Sequence, residues 1–363
     1  MQFPIWRPQT VSTPAPTSNV HLWVRAEQRP REERVGLTPN GAAELIAKGF
    51  RVTVEKSSQR IIPIAEYTAV GCETAPEGSW EHAPSDAIIF GLKELPETGT
   101  PLKHRHIMFG HAYKGQASGR VLLDRFKAGG GKLYDLEYLT AANGRRVAAF
   151  GYWAGYAGAA VSGLAYAAQA KGETCPSVDT FVSAEAMAQA VRDALAGATP
   201  SALIIGALGR VGTGATDLCE RAGISVTKWD LAETASGGPF PEVLEHDLFF
   251  NCILASPGCP VFVPETAKTA KRNLRVIGDI ACDPQSDFSP VKVYDHETTW
   301  AEPVVRAHDN PVLDVMAIDN LPSLLPKESS DDYASQLLPH LATLDRIDDN
   351  VWGRAKAIFD EKV

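Results

Sequence analysis

Two titratable side chains follow short apolar runs in the first half of the chain. His111 comes after HIMFG, and Lys93 comes after DAIIFGL. An imidazole exchanges protons near neutral pH, and partial desolvation lowers the pKa of an ammonium group towards that range. Taken singly, each residue is more simply a structural histidine or a surface lysine. Because both stand where an apolar run ends, the sequence predicts that they form an acid/base pair.

A glycine-rich turn, GALGRVG, lies near the middle of the chain and contains Gly206, Gly209 and Gly212. It follows the apolar run ALII and precedes an amphipathic segment that ends at Gly223. This order of elements is typical of dinucleotide-binding turns, in which a pyrophosphate meets a helix N terminus. The GxxGxxG spacing is a weak signal by itself, because GxGxxG is commoner. Its context favours a cofactor site over an ordinary turn.

Asp230 lies about 20 residues beyond the turn, at the end of the apolar segment SVTKW. A carboxylate at this position accepts hydrogen bonds from ribose hydroxyls and repels a 2′-phosphate. The sequence therefore favours NAD over NADP as the cofactor. The cationic side chains of Lys228 and Arg210 stand nearby and reduce this preference.

Arginine occupies four positions at which lysine would serve solubility equally well, namely Arg25, Arg34, Arg145 and Arg146. A planar guanidinium binds a carboxylate through two parallel hydrogen bonds, which an ammonium group cannot do. The four arginines indicate a substrate with several carboxylates. A salt bridge on a solvated face is the alternative for each of them.

The elements that must position these residues alternate along the chain. Short apolar runs (HLWVRAE, RVTVEK, SDAIIFGLK) alternate with helical stretches such as GAAELIAKGF, a pattern typical of parallel βαβ units. Residues 151–171 predict a long helix whose small residues allow close packing, and SAEAMAQAVRDALA predicts another. The runs DLFFNCIL and LRVIGDIA continue a second sheet. The segments DYASQLLPHLATL and VWGRAKAIFDEKV predict helices that close the chain.

We therefore predict an α/β protein with two Rossmann-like domains, parallel sheets, and an active-site cleft between the domains. A substrate-binding and catalytic domain is expected over residues 1–148, with residues 331–363 packing back on it. An NAD-binding domain is expected over residues 149–330. The length of 363 residues suits two domains of ordinary size.

Bulk composition argues against several classes of protein. The formal net charge is -9 and the basic residues are scattered, so we expect no nucleic-acid or anionic-membrane partner. Apolar runs are too short to span a membrane, and residues 1–18, interpreted as a loose arm, lack the apolar core of a secretory signal. We expect a cytoplasmic protein. The six cysteines show no zinc spacing, which predicts free thiols and no metal.

Long collinear motifs are more specific than any single site. They include RAEQRPREERVGLTP, IIFGLKELPET, HIMFGHAYKGQA, LYDLEYL, GRRVAAFGYWAG, LIIGALGRVGTGA, KWDLAETASGGPF and IDNLPSLLP. Together they resemble the NAD-dependent, lysine-forming saccharopine dehydrogenases of the fungal lysine pathway, which have a two-domain fold similar to alanine dehydrogenase. The resemblance implies reversible oxidation of saccharopine, with NAD and water, to lysine and 2-oxoglutarate. The reaction passes through an imine that is then hydrolysed.

The resemblance also implies roles for individual residues. Lys93 would handle the secondary amine, His111 the hydration of the imine, and Glu137 would raise the pKa of neighbouring cations. Positions similar to saccharopine contacts are Arg34, Lys93, Arg146, Phe150, Ala281, Cys282 and Asp283. Positions similar to NAD contacts, taken with the turn glycines, are Gln116, Arg145, Gly206, Gly209, Arg210, Gly212, Asp230, Thr234, Leu254, Ile280, Ile318, Asp319, Asn320 and Leu321.

Some positions depart from the family pattern. Leu254 replaces a tyrosine, Ala281 and Cys282 replace a Ser-Ala pair, and Val211 replaces a cysteine that would face Cys252. An opine-type or alanine-type NAD-dependent dehydrogenase therefore stays open as an alternative. A second alternative, a non-catalytic NAD-binding protein, would need none of the charged residues above. The expected partners are small molecules (saccharopine, lysine and 2-oxoglutarate), and a monomer or weak homo-oligomer is expected.

Overall fold

The computed structural model describes residues 18–115 and 117–363. The chain divides into two compact units. The first unit contains the described residues up to Pro30, residues 35–148 and residues 334–363. The second unit contains Arg31–Arg34 and Ala149–Tyr333. Each unit holds a six-stranded sheet of its own.

The first unit is built on short strands that are separated by helices; labels follow chain order. Its strands are β1 (His21–Val24), β2 (Arg51–Glu55), β3 (Glu73–Ala75), β4 (Ile88–Phe90), β5 (Arg105–Met108) and β6 (Lys132–Asp135). Its helices are α1 (Pro39–Ala47), α2 (Ile64–Ala69), α3 (Ala117–Gly129) and α10 (Asn350–Lys362). Single 3₁₀ turns lie at Ser79–His82, Leu136–Tyr138 and Leu344–Arg346.

All neighbouring strands of this first sheet are parallel, in the order β3-β2-β1-β4-β5-β6. Trp23 of β1 pairs with Thr53 on one side and with Ile89 on the other. The strand order reverses between β1 and β4, and ligands of open parallel sheets bind beyond the carboxyl ends at such a switch point. The sheet order therefore gives special weight to the residues that follow β1, β4, β5 and β6.

The C-terminal helix α10 belongs to the first unit and packs against its edge strand. Lys132 of β6 donates to Asp360 over 2.8 Å. The buried ring of Trp352 meets Tyr134 edge-on, and Phe359 meets Phe126 in the same way, with centroids 6.2 and 5.5 Å apart. These aromatic contacts bury the apolar face of a helix that would be marginal alone.

The second unit repeats this plan in a mostly parallel sheet. Its strands are β7 (Ser201–Ile205), β8 (Ser225–Trp229), β9 (Leu248–Asn251), β10 (Val276–Asp279), β11 (Val305–Asp309) and β12 (Val312–Met316). Its helices are α4 (Gly151–Ala170), α5 (Ala184–Leu195), α6 (Arg210–Ala222), α7 (Leu231–Thr234) and α8 (Pro241–Glu245). Further 3₁₀ turns lie at Glu265–Lys268 and Leu321–Leu324.

The second sheet has the order β11-β12-β10-β9-β7-β8. All pairs are parallel except β11 and β12, which form an antiparallel hairpin at the edge. The prediction of two Rossmann-like parallel sheets is therefore confirmed, with the edge hairpin as an addition that the sequence patterns did not predict. The strand order reverses between β7 and β9, and β7 leads into the glycine-rich turn.

The long helix α4 packs closely on α6, as its small residues predict. A Cβ atom added to Gly155 would lie 1.8 Å from the carbonyl oxygen of Val211 on α6. Only glycine allows the two backbones to approach this closely. The helix therefore contributes to the core of the second unit. No helix in the described part of the chain is long and apolar enough to cross a membrane.

Helix α9 (Pro326–Leu341) begins in the second unit and ends in the first. The sequence predicted a helix from Asp332, and this starting point was wrong. Pro326 suits the first turn of a helix, where its missing N–H is not needed. Ser329 and Ser330 are buried, and their hydroxyls donate to the carbonyls of Pro322 and Pro326. Satisfied hydroxyls therefore allow a polar segment to be helical.

Candidate functional site

Lys93, His111 and Glu137 follow β4, β5 and β6, three adjacent parallel strands. Their side chains therefore originate at one edge of the first sheet, beside its switch point. The N–H of Phe109 donates to the carbonyl of Leu92 over 2.8 Å, which ties the segments before His111 and Lys93 together. The predicted placement of an acid/base pair on neighbouring strand ends thus agrees with the topology.

His111 has a backbone conformation that is rare for a residue with a side chain. Its φ is +47°, in the left-handed region, where strain is retained only when the surroundings hold it. The side chain is 48% exposed, and its Nδ1 atom lies 4.0 Å from Oε2 of Glu137. The imidazole is therefore accessible and faces a carboxylate.

Glu137 also contacts a cation that sequence reasoning missed. Its Oε1 atom accepts a hydrogen bond from Nζ of Lys114 over 2.9 Å, and this bond raises the pKa of Lys114. The shorter of the two contacts of Glu137 is thus with Lys114 rather than His111. Lys114 lies three residues after His111, in the sequence HAYK, and this short spacing is the signal that could have identified it.

Asp135 is a buried carboxyl group beneath these side chains. Its Oδ2 atom accepts the N–H of Gly110 over 3.2 Å, and its Oδ1 atom accepts the N–H of Glu137 over 2.9 Å. Burial raises the pKa of Asp135 to about 7. Asp135 therefore fixes the backbone next to both His111 and Glu137.

Arg25 follows β1, and the structure corrects its expected role. Its side chain is fully buried, with Nη1 3.3 Å from Oε2 of Glu27, and Nη2 donates to the carbonyl of Lys93. The Arg25 side chain is 0% exposed and its guanidinium is held by these internal partners, so the structure does not present it to a substrate carboxylate. The interpretation of Arg25 as a substrate-binding arginine is wrong. Glu27, which no motif indicated, is its partner.

Arg145 and Arg146 are exposed on a tight turn of the first unit. Thr140 and Arg146 form an isolated antiparallel bridge, and the N–H of Ala141 donates to the carbonyl of Arg145 over 2.9 Å. The carbonyl of Thr140 accepts Nε and Nη2 of Arg354, from α10, at 2.9 and 2.6 Å. The C-terminal helix thus anchors the base of the turn.

Arg34 and Phe150 lie together in the second unit. The Arg34 guanidinium carbon is 4.3 Å from the centre of the Phe150 ring, which in turn stacks on Tyr333 at 4.1 Å. Glu32 accepts Nε and Nη2 of Arg34 at 2.7 and 2.6 Å, and both side chains are buried. The arginine is therefore oriented by a carboxylate and an aromatic face, and Glu32 takes two of its five N–H donors.

The three turn glycines have different surroundings. Gly206 has a φ of +86°, and a Cβ there would lie 2.5 Å from the side chain of Ile253. A Cβ on Gly212 would lie 2.2 Å from the Gly206 carbonyl oxygen. Gly209 is extended, with a φ of -77°, and its Cβ would meet protein only at 3.4 Å. The fold requires Gly206 and Gly212. Gly209 instead leaves room for a ligand to approach the N terminus of helix α6, which begins at Arg210.

Asp230 directly follows β8 and connects to the glycine-rich turn. Its Oδ2 atom accepts the N–H of Leu208 over 3.1 Å, and its Oδ1 atom accepts the N–H of Leu231 over 2.9 Å. It also forms a capping box with Glu233 at the start of α7, and Thr234 donates to its carbonyl. A structural role thus accompanies the predicted ribose contact. Carboxylate oxygens have further acceptor capacity, so both roles are compatible.

Three large apolar side chains are exposed at the carboxyl edge of the second sheet. Leu208, Leu231 and Leu254 follow β7, β8 and β9, with exposures of 81%, 82% and 74%. Exposed apolar groups that converge on one edge are typical of a ligand site. Leu254 was among the predicted cofactor contacts, whereas Leu208 and Leu231 were not. Leu208 lies directly beside Gly209, and Leu231 lies directly beside Asp230. This adjacency is the signal that could have identified the two leucines.

The remaining predicted residues differ in accessibility. Ile280, Ile318 and Leu321 are buried in the core of the second unit, so only Asp319 and Asn320 of the stretch 318–321 reach the surface.

Cys282, between Ala281 and Asp283, has a φ of +51°, and burial raises the pKa of its thiol. Its N–H faces Oδ1 of Asp279 at 3.4 Å. Gln116 lies outside the described residues. All six cysteines are free thiols, and within residues 18–115 and 117–363 no group of three metal-binding side chains converges.

Comparisons with known proteins define the class first. Residues 23–157 match the family model described as alanine dehydrogenase/PNT, N-terminal domain. An L-alanine dehydrogenase structure is similar with a TM-score of 0.67 at 17% identity, over 95% of this chain and 100% of that one. A transhydrogenase from Sinorhizobium meliloti has a TM-score of 0.61 at 17% identity, over 92% and 97%. The chain has the fold of this class.

Full-length relatives are more specific. The saccharopine dehydrogenase (NAD(+), L-lysine-forming) of Schizosaccharomyces pombe is 46% identical over 361 residues, covering 94% of this chain and 98% of the relative. The proteins of the same name from Candida albicans and Yarrowia lipolytica are 43% and 44% identical; they cover 95% and 96% of this chain, and 98% of each relative is covered. The chain belongs to the lysine-forming saccharopine dehydrogenase family.

Proposed function

We propose that the chain catalyses the reversible, NAD-dependent oxidation of saccharopine to L-lysine and 2-oxoglutarate. The observation that carries this function is the cluster of Lys93, His111 and Glu137 at adjacent strand ends, in a chain that is 46% identical to an enzyme of this name over nearly its whole length. An oxidation at a C–N bond followed by hydrolysis needs such groups, because protons must leave an amine and later a water molecule.

Lys93 and His111 divide the proton transfers in this proposal. The Nζ atom of Lys93 accepts the proton of the secondary amine, so that the nitrogen lone pair can form the imine. NAD supplies the acceptor for the hydride that leaves the adjacent carbon. The His111 imidazole then removes a proton from the water that adds to the imine carbon and returns this proton to the nitrogen. It next takes up the hydroxyl proton of the resulting carbinolamine as the C–N bond breaks, which releases the amine and forms the 2-oxo acid.

Glu137 acts electrostatically in this scheme. Its carboxylate lies 4.0 Å from the His111 ring, so it favours the protonated form of the imidazole. It also forms an ion pair with Lys114, which spreads its charge over two cations. We propose that the proton affinity of His111 depends on this carboxylate.

Substrate carboxylates require cations, and we propose Arg34 and Arg146 for this role. Arg34 is oriented by Glu32 and Phe150, and Arg146 stands on the exposed turn after Thr140. A bidentate guanidinium contact discriminates between carboxylates better than an ammonium group does. Ala281, Cys282 and Asp283 are proposed to complete the substrate contacts.

The residues of the second unit fit a dinucleotide. The N terminus of α6 and the open side of Gly209 suit a pyrophosphate, Asp230 suits the adenosine ribose, and Leu254 offers an apolar surface to the adenine. We therefore propose residues 149–330 as the NAD-binding domain. Residues 1–148 with 331–363 are proposed as the catalytic domain. The further proposed NAD contacts are Gln116, Arg145, Arg210, Thr234, Ile280 and residues 318–321.

Cellular context follows from weaker observations. The protein acts on small molecules. We propose a cytoplasmic enzyme that works as a monomer or weak homo-oligomer. Its net charge of -9, with scattered basic residues, gives no support for a nucleic-acid partner.

Initial rates of NADH oxidation test the proposed function. We expect turnover only when L-lysine and 2-oxoglutarate are both present, and a clear preference for NADH over NADPH because Asp230 repels a 2′-phosphate. Omission of either substrate is the internal control. Turnover with a 2-oxo acid and ammonia in place of lysine would contradict the proposal and indicate an alanine-type dehydrogenase. Tight NADH binding without turnover on any amine would indicate a non-catalytic protein.

A further inference from the structure

We propose that Arg25 and Glu27 are positioning residues that clamp the backbone of Lys93, an inference that rests on the catalytic role proposed for Lys93. Both residues follow β1, whereas Lys93 follows the adjacent strand β4. The pair therefore lies at the switch point of the first sheet. None of the sequence motifs assigned a role to Glu27, and Arg25 was assigned a different one.

Side chains from the segment after β1 engage both backbone groups of Lys93. Oε2 of Glu27 accepts the Lys93 N–H over 3.0 Å, and Nη2 of Arg25 donates to the Lys93 carbonyl. Oε1 of Glu27 accepts the N–H of the preceding residue, Leu92, over 2.6 Å. The peptide units on both sides of Lys93 are thus fixed by one ion pair.

Neighbouring residues complete the clamp. A Cβ atom added to Gly91 would lie 2.4 Å from the guanidinium carbon of Arg25, so the guanidinium packs directly against a backbone that carries no side chain. The carbonyl of Leu92 accepts the N–H of Phe109, two residues before His111. Each of these contacts restricts the segment 91–93, and the last one links it to the segment of the second proposed acid/base group.

Energetics favour a positioning role over a stabilising one. The side chains of Arg25 and Glu27 are 0% and 8% exposed, so both charges have been removed from water. A buried ion pair seldom stabilises a fold more than well-packed apolar residues would, because desolvation offsets the attraction between the charges. This buried pair directs its hydrogen bonds to the peptide groups of Lys93. Its role is therefore better explained by the precise position that it gives to the Lys93 backbone.

Proton transfer depends on this precision. A general base must lie within hydrogen-bond reach of the proton that it removes, and a displacement of about 1 Å costs about 100-fold in rate. Releasing the Lys93 backbone lets the Nζ atom that accepts the proton sample more positions. The clamp therefore acts on the rate of the chemical step rather than on the binding of substrates.

The test compares Glu27→Gln with a matched control, Glu55→Gln. Glu55 is a buried carboxylate on β2 whose oxygens accept N–H groups of Trp23, Ala26, Gly78 and Trp80. It resembles Glu27 in burial and in hydrogen bonding, but none of these donors belongs to the segment 91–93. Thermal midpoints, the Kd of NADH, and the kcat and KM for lysine are measured on the full chain. Lys93→Met is assayed beside them.

We expect Glu27→Gln to lower kcat by about 100-fold, with KM and the NADH Kd changed by less than about threefold. Glu55→Gln is expected to lower the thermal midpoint comparably while keeping kcat within about threefold of wild type. Glu27→Asp, which keeps the charge but is shorter, should recover part of kcat. Arg25→Lys, which keeps the charge but loses the fork, should lower kcat and is the second test if Glu27→Gln fails to fold.

Equal losses of kcat in Glu27→Gln and Glu55→Gln would overturn the clamp and leave Glu27 a structural residue. A folded Arg25→Lys variant with the kcat of wild type would also overturn it. Full activity of Lys93→Met is a different outcome, because it would refute the proposed role of Lys93 itself. The two failures are therefore distinguishable.

Discussion

Glycine at position 209 is proposed to serve the binding of a ligand, whereas folding does not require it. Its extended backbone suits any residue, and an added Cβ would meet only the Gly206 carbonyl oxygen, at an ordinary van der Waals distance of 3.4 Å. Gly206, three residues earlier, has a positive φ and no space for a methyl group. Glycine is thus needed for different physical reasons at two positions of one turn, and a sequence motif does not distinguish these reasons.

We expect Gly209→Ala to fold as well as wild type and to bind NADH at least about tenfold more weakly. The substitution lowers the entropy of the unfolded chain, so the free energy of unfolding should stay constant or rise by up to about 1 kcal/mol. The added methyl group obstructs the pyrophosphate at the N terminus of α6. Fluorescence titration with NADH and thermal unfolding provide the measurements. Gly206→Ala, the control, should lose stability, and an unchanged Kd in Gly209→Ala would refute this account of the turn.

Asp135 should make stability depend on pH. Its pKa is raised to about 7 by burial, above the value of about 4 in an unfolded chain. The folded protein therefore holds an extra proton between these values, so this contribution to stability is complete below about pH 4 and is lost as the pH rises through about 7.

Asp135→Asn removes the titration and serves as the reference. We expect the difference in unfolding free energy between wild type and Asp135→Asn to change by about 1 kcal/mol per pH unit from pH 5 to pH 7, with wild type losing stability. Urea unfolding at a series of pH values gives this difference. A difference that does not vary with pH would show that Asp135 is already ionised throughout.

Local patterns predicted the regular elements and failed where distant parts of the chain meet. Alternating apolar runs predicted β1, β2 and β4, and they placed Lys93 and His111 at strand ends, because these features depend on near neighbours in sequence. The burial of Arg25 and its contact with Lys93, 68 residues later in the sequence, depend on the pairing of β1 with β4. No local pattern reports such a contact.

Helix α9 and the hairpin β11–β12 show a second limit. The polar residues of KESSDD favour turns more than a helix, yet the segment is helical and both serines are buried. The edge strand β11 (VRAHD) and its neighbour β12 (VLDVM) carry charges that obscure their alternation. Edge strands commonly carry such charges, which hinder pairing with other chains.

At the scale of elements, α10 should control the turn that carries Arg145 and Arg146. Arg354 of this helix donates two hydrogen bonds to the Thr140 carbonyl. We expect Arg354→Leu to raise the KM for 2-oxoglutarate by about 3- to 10-fold, because a released turn presents Arg146 less precisely. Lys356→Leu, on the same helix and beside Asp360, is the matched control. Equal KM values in both variants would contradict the anchoring role.

At the scale of the whole molecule, each unit has its own sheet, and the proposed cofactor groups concentrate in the second unit. The hydrophobic cores of that unit are formed from residues 156–325. We expect a fragment of residues 149–333 to fold, to bind NADH with a Kd within about tenfold of the full chain, and to lack turnover. The same fragment with Gly209→Ala is the control. A folded fragment that binds no NADH would contradict the proposed division of roles.

Lys93 and His111, at adjacent strand ends of the first sheet, are proposed to perform the proton transfers of the saccharopine reaction. The most direct test is the rate of NADH oxidation with lysine and 2-oxoglutarate, in wild type and in a Lys93→Met/His111→Gln double variant. We predict that the double variant binds NADH as tightly as wild type but loses at least about 100-fold in kcat. A folded double variant that retains the wild-type kcat would contradict the claim.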